Sequence, residues 1–133
     1  MDHSQKALLL KELAKTPAGA RFRCGSASME PTIAVGEQVR VVATQPADLR
    51  VGDVVVFESA DGFILHRIVL LYRRGGWMLH EGDAASAHGP RRAMLESVIG
   101  RVPSLPRKMP RPRSIALALR NWAAGMRRRL PLG

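Results

Sequence analysis

Between residues 51 and 83 the chain repeats one pattern, a short run rich in Val, Ile and Leu followed by a turn built on Gly or Asp. Val54-Val55-Val56-Phe57 follows Gly52-Asp53, and Asp61-Gly62 precedes the run Phe63 to Leu71. Arg73-Arg74-Gly75-Gly76 then leads into Trp77-Met78-Leu79-His80, which ends at Gly82-Asp83. Such β-branched and aromatic runs, bounded by turn residues, read as strands, and Asp-Gly suits a tight hairpin. Strands joined by tight turns must run antiparallel. The stretch therefore predicts a mainly β domain of curved antiparallel sheets around a small core. Gln38 to Ala43 adds a Val-rich strand after the turn Gly36-Glu37, and Pro46 to Asp53 is a connection. Along Phe63 to Leu71, alternation puts Ile64, His66, Ile68 and Leu70 on one face and Phe63, Leu65, Arg67, Val69 and Leu71 on the other. His66 is then a polar residue on an otherwise apolar face.

The 133 residues suffice for one domain with a modest core. Residues 21–105 form that domain, with an N-terminal helical segment, 1–20, and a C-terminal appendage, 106–133. Near the start, Ser4 is a candidate cap for a short helix ending before Pro17, with Ala7, Leu8, Leu10, Lys11 and Ala14 loosely amphipathic. Charge is unevenly placed: residues 1–100 are nearly neutral, whereas 101–133 hold 9 Lys/Arg and no acid. Prolines 103, 106, 110 and 112 among Arg107, Lys108, Arg111 and Arg113 read as a stiff basic linker. From Ser114 a helix follows, with Ile115, Ala118, Leu119, Trp122, Ala123 and Met126 on one face. A basic amphipathic helix carrying Trp suits either an anionic membrane surface or an acidic protein, so residues 107–133 are the candidate partner-binding segment.

Ala7 to Leu10 is too short for the roughly 7 to 15 apolar residues of a secretory signal core, and no run approaches the ~20 of a membrane span. A cytoplasmic or membrane-peripheral location is the expectation. Cys24, the single cysteine, reads as a small buried hydrophobe.

The stretch richest in potential chemistry is Gly25-Ser26-Ala27-Ser28-Met29-Glu30-Pro31. A serine hydroxyl needs a base in hydrogen-bond reach and donors aimed at a developing oxyanion before it can act as a nucleophile. Clusters of Gly, Ser and Pro also make ordinary turns. Here the loop is followed by Ser28-Met29-Glu30-Pro31-Thr32, then Leu49-Arg50-Val51-Gly52-Asp53, Ile64-Leu65-His66-Arg67, His80-Glu81-Gly82-Asp83-Ala84 and Glu96-Ser97-Val98-Ile99-Gly100-Arg101-Val102. In this order, over about Phe22 to Val102, the chain resembles the type I signal peptidases, which are related to the self-cleaving repressor proteases. His66-Arg67 resembles the histidine subtype of the endoplasmic reticulum and archaea; most bacterial members have lysine before that arginine.

The resemblance implies a β fold of the signal-peptidase and repressor-protease type, with the serine loop meeting the base strand at a shallow groove. It implies Ser28 as nucleophile, Ser26 assisting the oxyanion hole with the Ser28 N–H, His66 as general base, and Asp83 as the acid of the family's Gly-Asp-Asn motif. The chain departs from that motif at Ala84, and the further aspartates expected downstream are missing, with His88 and Gly89 in that region. The implied reaction is acyl transfer by a serine endopeptidase that cleaves a precursor or leader polypeptide after small residues, without a cofactor. Activity would rise through about pH 6 to 7 as His66 loses its proton, whereas a rise only above pH 9 would argue against His66. An extended substrate would bind by strand addition. Ala18-Gly19-Ala20, itself a small-x-small stretch, raises self-cleavage after Ala20.

Other classes compete. His80 and His88 flank Asp83, and three histidines with a carboxylate can bind a metal, but no HExxH or paired-cysteine spacing supports a metal site. A catalytically silent relative that binds a peptide or partner is favoured by the altered residues around Asp83. A nucleic-acid-associated regulator is disfavoured, because 20 residues cannot hold a helix-turn-helix and aromatic residues are scarce.

Overall fold

The computed structural model describes residues 2–60, 62–84 and 89–129. In chain order its main elements are α1 (His3–Ala14), β1 (Ala20–Arg23), β2 (Gln38–Val41), β3 (Val54–Ser59), β4 (Gly62–Tyr72), β5 (Trp77–Glu81), β6 (Arg91–Met94), β7 (Val98–Arg101) and α2 (Pro112–Arg129). Five strands form one antiparallel sheet in the order β6-β5-β4-β3-β7, and β1 and β2 form a two-stranded ribbon. A bridge from Val42 to Arg101 joins ribbon to sheet. Helix and strand occur in comparable amounts, which corrects the expectation of a mainly β domain: this is a mixed α/β domain, two helices flanking antiparallel sheets.

The meander forms where the turn residues place it, with Ser59 opposite Gly62 and Tyr72 opposite Trp77. β3 is one of the sheet's three inner strands, and its side chains alternate between two cores. Val54 and Val56 join Met29, Ile33, Val41, Leu65 and Ile99 on one side. On the other, Val55 and Phe57 pack with Leu49, Ile68, Met78 and Leu95. Burial on both faces explains why the strand is an unbroken Val run rather than an alternating one. Each such fully buried side chain contributes about 1.5–3 kcal/mol.

The predicted alternation of β4 holds only to Ile68. In the β4–β5 ladder Ile68 faces His80 while Leu70 faces Leu79, so a bulge at Val69 consumes one extra residue. Beyond it the faces exchange, and Leu71, not Leu70, packs with Ile64 and Ile68.

α1 begins two residues earlier than Ser4 as its cap would place it. Asp2 is the N-cap: its carboxylate accepts from the Gln5 N–H at 2.8 Å, and the Gln5 side chain accepts from the Asp2 N–H at 2.9 Å. This reciprocal box satisfies two donors that a helix start leaves open. Ala7 and Ala14 are buried, and α1 packs on β7 and β1, while Leu8 stays 61% exposed. Ala20, the residue before the postulated self-cleavage point, is buried in β1 and paired with Val41.

The Pro/Arg stretch is a strap rather than a free linker. Arg107 pairs with Asp53 at 2.7 Å and Arg111 with Glu81 at 3.3 Å, and both carboxylates are buried. Arg67 donates to the Pro106 carbonyl at 3.0 Å, and the Lys108 N–H to that of Gly52 at 3.4 Å. α2 opens at Pro112, in its first turn, where a missing N–H costs nothing. Ser114 and Ala118 are buried against the body, whereas Ile115, Leu119 and Trp122 are exposed. With Tyr72 and Trp77 these three line a groove of about 840 Å³ between α2 and the sheet. Among the described residues no helix is long and apolar enough to cross a membrane.

Candidate functional site

Ser28 lies in a single 3-10 turn, Ala27–Met29, that the sequence folds through Ser26. Ser26 is its N-cap, in extended conformation, with its Oγ 3.4 Å from the Ser28 N–H and 3.0 Å from Ser28 Oγ. Cys24 is buried as expected, and its thiol donates to the Ser26 carbonyl at 3.2 Å. Met29, fully buried, anchors the turn's other end in the core. The turn stops at Glu30, whose peptide to Pro31 is cis. The Ser26 and Ser28 hydroxyls thus meet on a loop tied down at both ends.

The turn packs on β4, the strand that carries His66. Arg67, next to His66 in β4, pairs with Glu81, where the ladder ends, and Gly82 follows directly. A Cβ on Gly82 would strike the Ser28 carbonyl and lie 3.0 Å from Ser28 Cβ. The Ser28 carbonyl also accepts from the Ala84 N–H at 2.9 Å. Lacking a side chain, Gly82 lets the serine turn settle onto the end of β5 beside the base strand. The serine turn is therefore seated at the β5 corner of the sheet, against β4, the strand that carries His66.

Asp83 is nearby but differently engaged. Its Oδ1 accepts from Arg67 Nε and its Oδ2 from Arg67 Nη2, both at 2.8 Å, and Oδ2 also accepts from the Thr32 hydroxyl. This fork-on-fork pairing fixes both carboxylate oxygens. Burial raises the Asp83 carboxyl, but the Arg67 and Thr32 hydrogen bonds and the charges of Arg67 and Lys108 outweigh it, holding the group below its ordinary value. Arg67 Nη1 donates in turn to the Gly52 carbonyl at 2.7 Å. Through Arg67, Asp83 ties the serine loop, the β3 entry and the strap together. Among the described residues the partners of its carboxylate are Arg67 and Thr32, not His66, and its backbone carbonyl accepts from Arg111 Nη1 at 3.1 Å.

His66 meets His80 instead, Nδ1 to Nδ1 at 2.9 Å. The two rings share a face of the sheet, on neighbouring strands and 5.1 Å apart by centroid, with Phe57 4.5 Å from His80. Burial lowers the His66 pKa below 6.5, opposed by the charges of Glu81 and Asp83 and reinforced by Arg91. Burial also dominates at His80, and with His66 and Arg91 lowers it to about 4. Both imidazoles are neutral near pH 7, so one Nδ1 donates and the other accepts.

Sequence reasoning considered His80 as a metal ligand and missed it as the partner of His66. The available sign was its place on β5, on the face that His66 occupies on β4. Among the described residues no group of three or more His, Cys, Asp or Glu gathers as a metal would require. His88 lies outside the described residues.

The chemistry open to this corner is proton transfer from a hydroxyl to a neutral imidazole, beside a second hydroxyl and a backbone N–H that can face developing negative charge. Comparison of the chain with known protein families, with characterised proteins and with solved structures finds no match.

Proposed function

We propose that the protein is a serine endopeptidase of the signal-peptidase type that cuts a precursor or leader polypeptide after small residues. The observation that supports this reading is the packing of the Ser28 turn onto Gly82 at the end of β5 and onto β4, the strand of the neutral His66. Ser28 Oγ attacks the peptide carbonyl as its proton passes to His66. The carbonyl electron pair becomes an oxyanion facing the Ser28 N–H and the Ser26 hydroxyl. His66 then returns the proton to the leaving amine as the C–N bond breaks, and water releases the acyl-enzyme. No cofactor enters these steps. The antiparallel sheets are of the kind this reading needs, and β6, an open edge, offers a row of backbone groups to an extended peptide.

The same proposal places the enzyme on an anionic membrane surface through residues 107–133. Trp122 and Leu119, each 56% exposed, and the exposed Arg113 and Arg120 support it. Burial of apolar side chains and attraction of basic ones would act together there.

Mass-spectrometric profiling of a peptide library rich in small-x-small sites tests both parts. With the full chain, cleavage is expected in wild type and absent in Ser28→Ala, and anionic vesicles are expected to accelerate it on membrane-tethered substrates. Equal inertness of both proteins, with a library peptide still bound, would replace the peptidase by a silent peptide-binding relative. A salt-sensitive complex with DNA in place of cleavage would favour the nucleic-acid reading.

A further inference from the structure

We propose that His80 is the residue that orients His66, so that the working constellation is Ser28, His66 and His80, with Asp83 serving the architecture around it. This rests on the peptidase reading of the same site. The geometry is specific: the Nδ1 atoms face each other at 2.9 Å, while Asp83 spends its two oxygens on Arg67 and Thr32.

Two neutral imidazoles joined through Nδ1 have two arrangements. If His80 donates, His66 carries its proton on Nε2 and has no lone pair there to receive one. If His66 donates, its Nδ1–H is held by His80 Nδ1 and its Nε2 is free as a base. Only the second supports the reaction. The Ser28 proton moves to His66 Nε2 as the Oγ–C bond forms, and the imidazolium keeps its Nδ1–H on His80. That same Nε2 proton later leaves with the amine.

His80 is well placed to hold an orientation. Its side chain is buried, Phe57 stacks at a tilt against it, and β5 is paired on both sides, with Ile68 and Arg91 opposite His80. The charged groups around the pair are Glu81 on β5, Asp83 just beyond it and Arg91 on β6. Glu81 and Asp83 favour the imidazolium at longer range, the part that a directly bonded carboxylate plays in a Ser-His-Asp triad.

The test compares wild type, His80→Asn and His80→Phe in the full chain. Asn places an amide oxygen near the position of Nδ1 and keeps an acceptor; Phe keeps a ring and removes it. Long-range nitrogen-proton correlation on histidine-labelled protein, in the Ser28→Ala background at pH 7.5, reads the His66 tautomer without any need for activity. The expected result is an Nδ1–H tautomer in wild type and Asn, with Nε2–H gaining in Phe. In parallel, kcat is expected to fall about 100-fold in Phe with KM unchanged, and to stay within about 10-fold in Asn. An Nε2–H tautomer in wild type overturns the proposal, as do an unchanged tautomer and kcat in Phe. Should Phe fail to fold, the wild-type tautomer and the Asn variant still decide. If wild type shows the Nδ1–H tautomer but cleaves nothing, the orienting pair stands and the peptidase reading falls.

Discussion

At the scale of single residues the site depends on protons. His66 and His80 are both held below the ordinary histidine value, chiefly by burial, so each is neutral in the folded protein where an unfolded chain would already be charged. A group with a depressed folded pKa contributes stability above its unfolded pKa, and that stability fades as pH falls towards the folded one. Between pH 6.5 and about 4 the unfolded state therefore binds more protons, and the fold weakens. For His80 alone the loss is roughly 3 kcal/mol at full development. Urea unfolding across this range should show the midpoint falling with pH, and His80→Phe should flatten the slope. On the proposed peptidase reading, catalysis follows the same sign. The rising limb of kcat/KM should lie below pH 6.5, lower than the unperturbed histidine value suggests. Ser28, Ser26 and His66 were legible as residues because motif and alternation mark them. The engagement of Asp83 was not, since Arg67 and Thr32, lying 16 and 51 positions away, claim its oxygens only once the chain is folded.

At the scale of elements, what was legible follows turn chemistry and burial. β3, β4 and β5 stand where the Gly and Asp turns bracket them. β1 and β6 escaped, because Ala20-Arg21-Phe22-Arg23 and Arg91-Arg92-Ala93-Met94 lack a β-branched residue and exist as strands only through their partners. The Val69 bulge was hidden for a related reason: strict alternation has no way to register an extra residue that the neighbouring strand does not match. β1 also bears on self-processing. A peptidase reads an extended chain whose backbone is free, yet Ala20 is 1% exposed and paired in its ribbon. The folded protein should keep residues 2–20, and intact mass after prolonged incubation at pH 7 is the measurement. Accumulation of a chain beginning at Arg21 would show that β1 opens readily.

At the scale of the whole molecule, the basic stretch after Leu105 is tied to the body through Arg107 and Arg111. Composition could show that 106–113 is stiff and basic, but not that Asp53, Glu81 and the Gly52 carbonyl would receive it while Arg67 donates to its Pro106 carbonyl. Removing 106–133 would leave the buried Asp53 and Glu81 carboxylates without the half-exposed guanidiniums that pair with them. A chain ending at Leu105 should therefore unfold at markedly lower urea than the full protein, with Arg107→Ala plus Arg111→Ala reproducing much of the loss. An unchanged midpoint in both would mean that the strap only rests on the body. The strap also sets an order of events during synthesis. Segments fold as they leave the ribosome, first residues first. Ser28, His66 and His80 all emerge before Arg107 and Arg111, so the nascent chain carries its reactive corner while the carboxylates at Asp53 and Glu81 still lack their guanidinium partners. A newborn copy is thus locked only once Arg107 and Arg111 have been translated and have reached those two carboxylates.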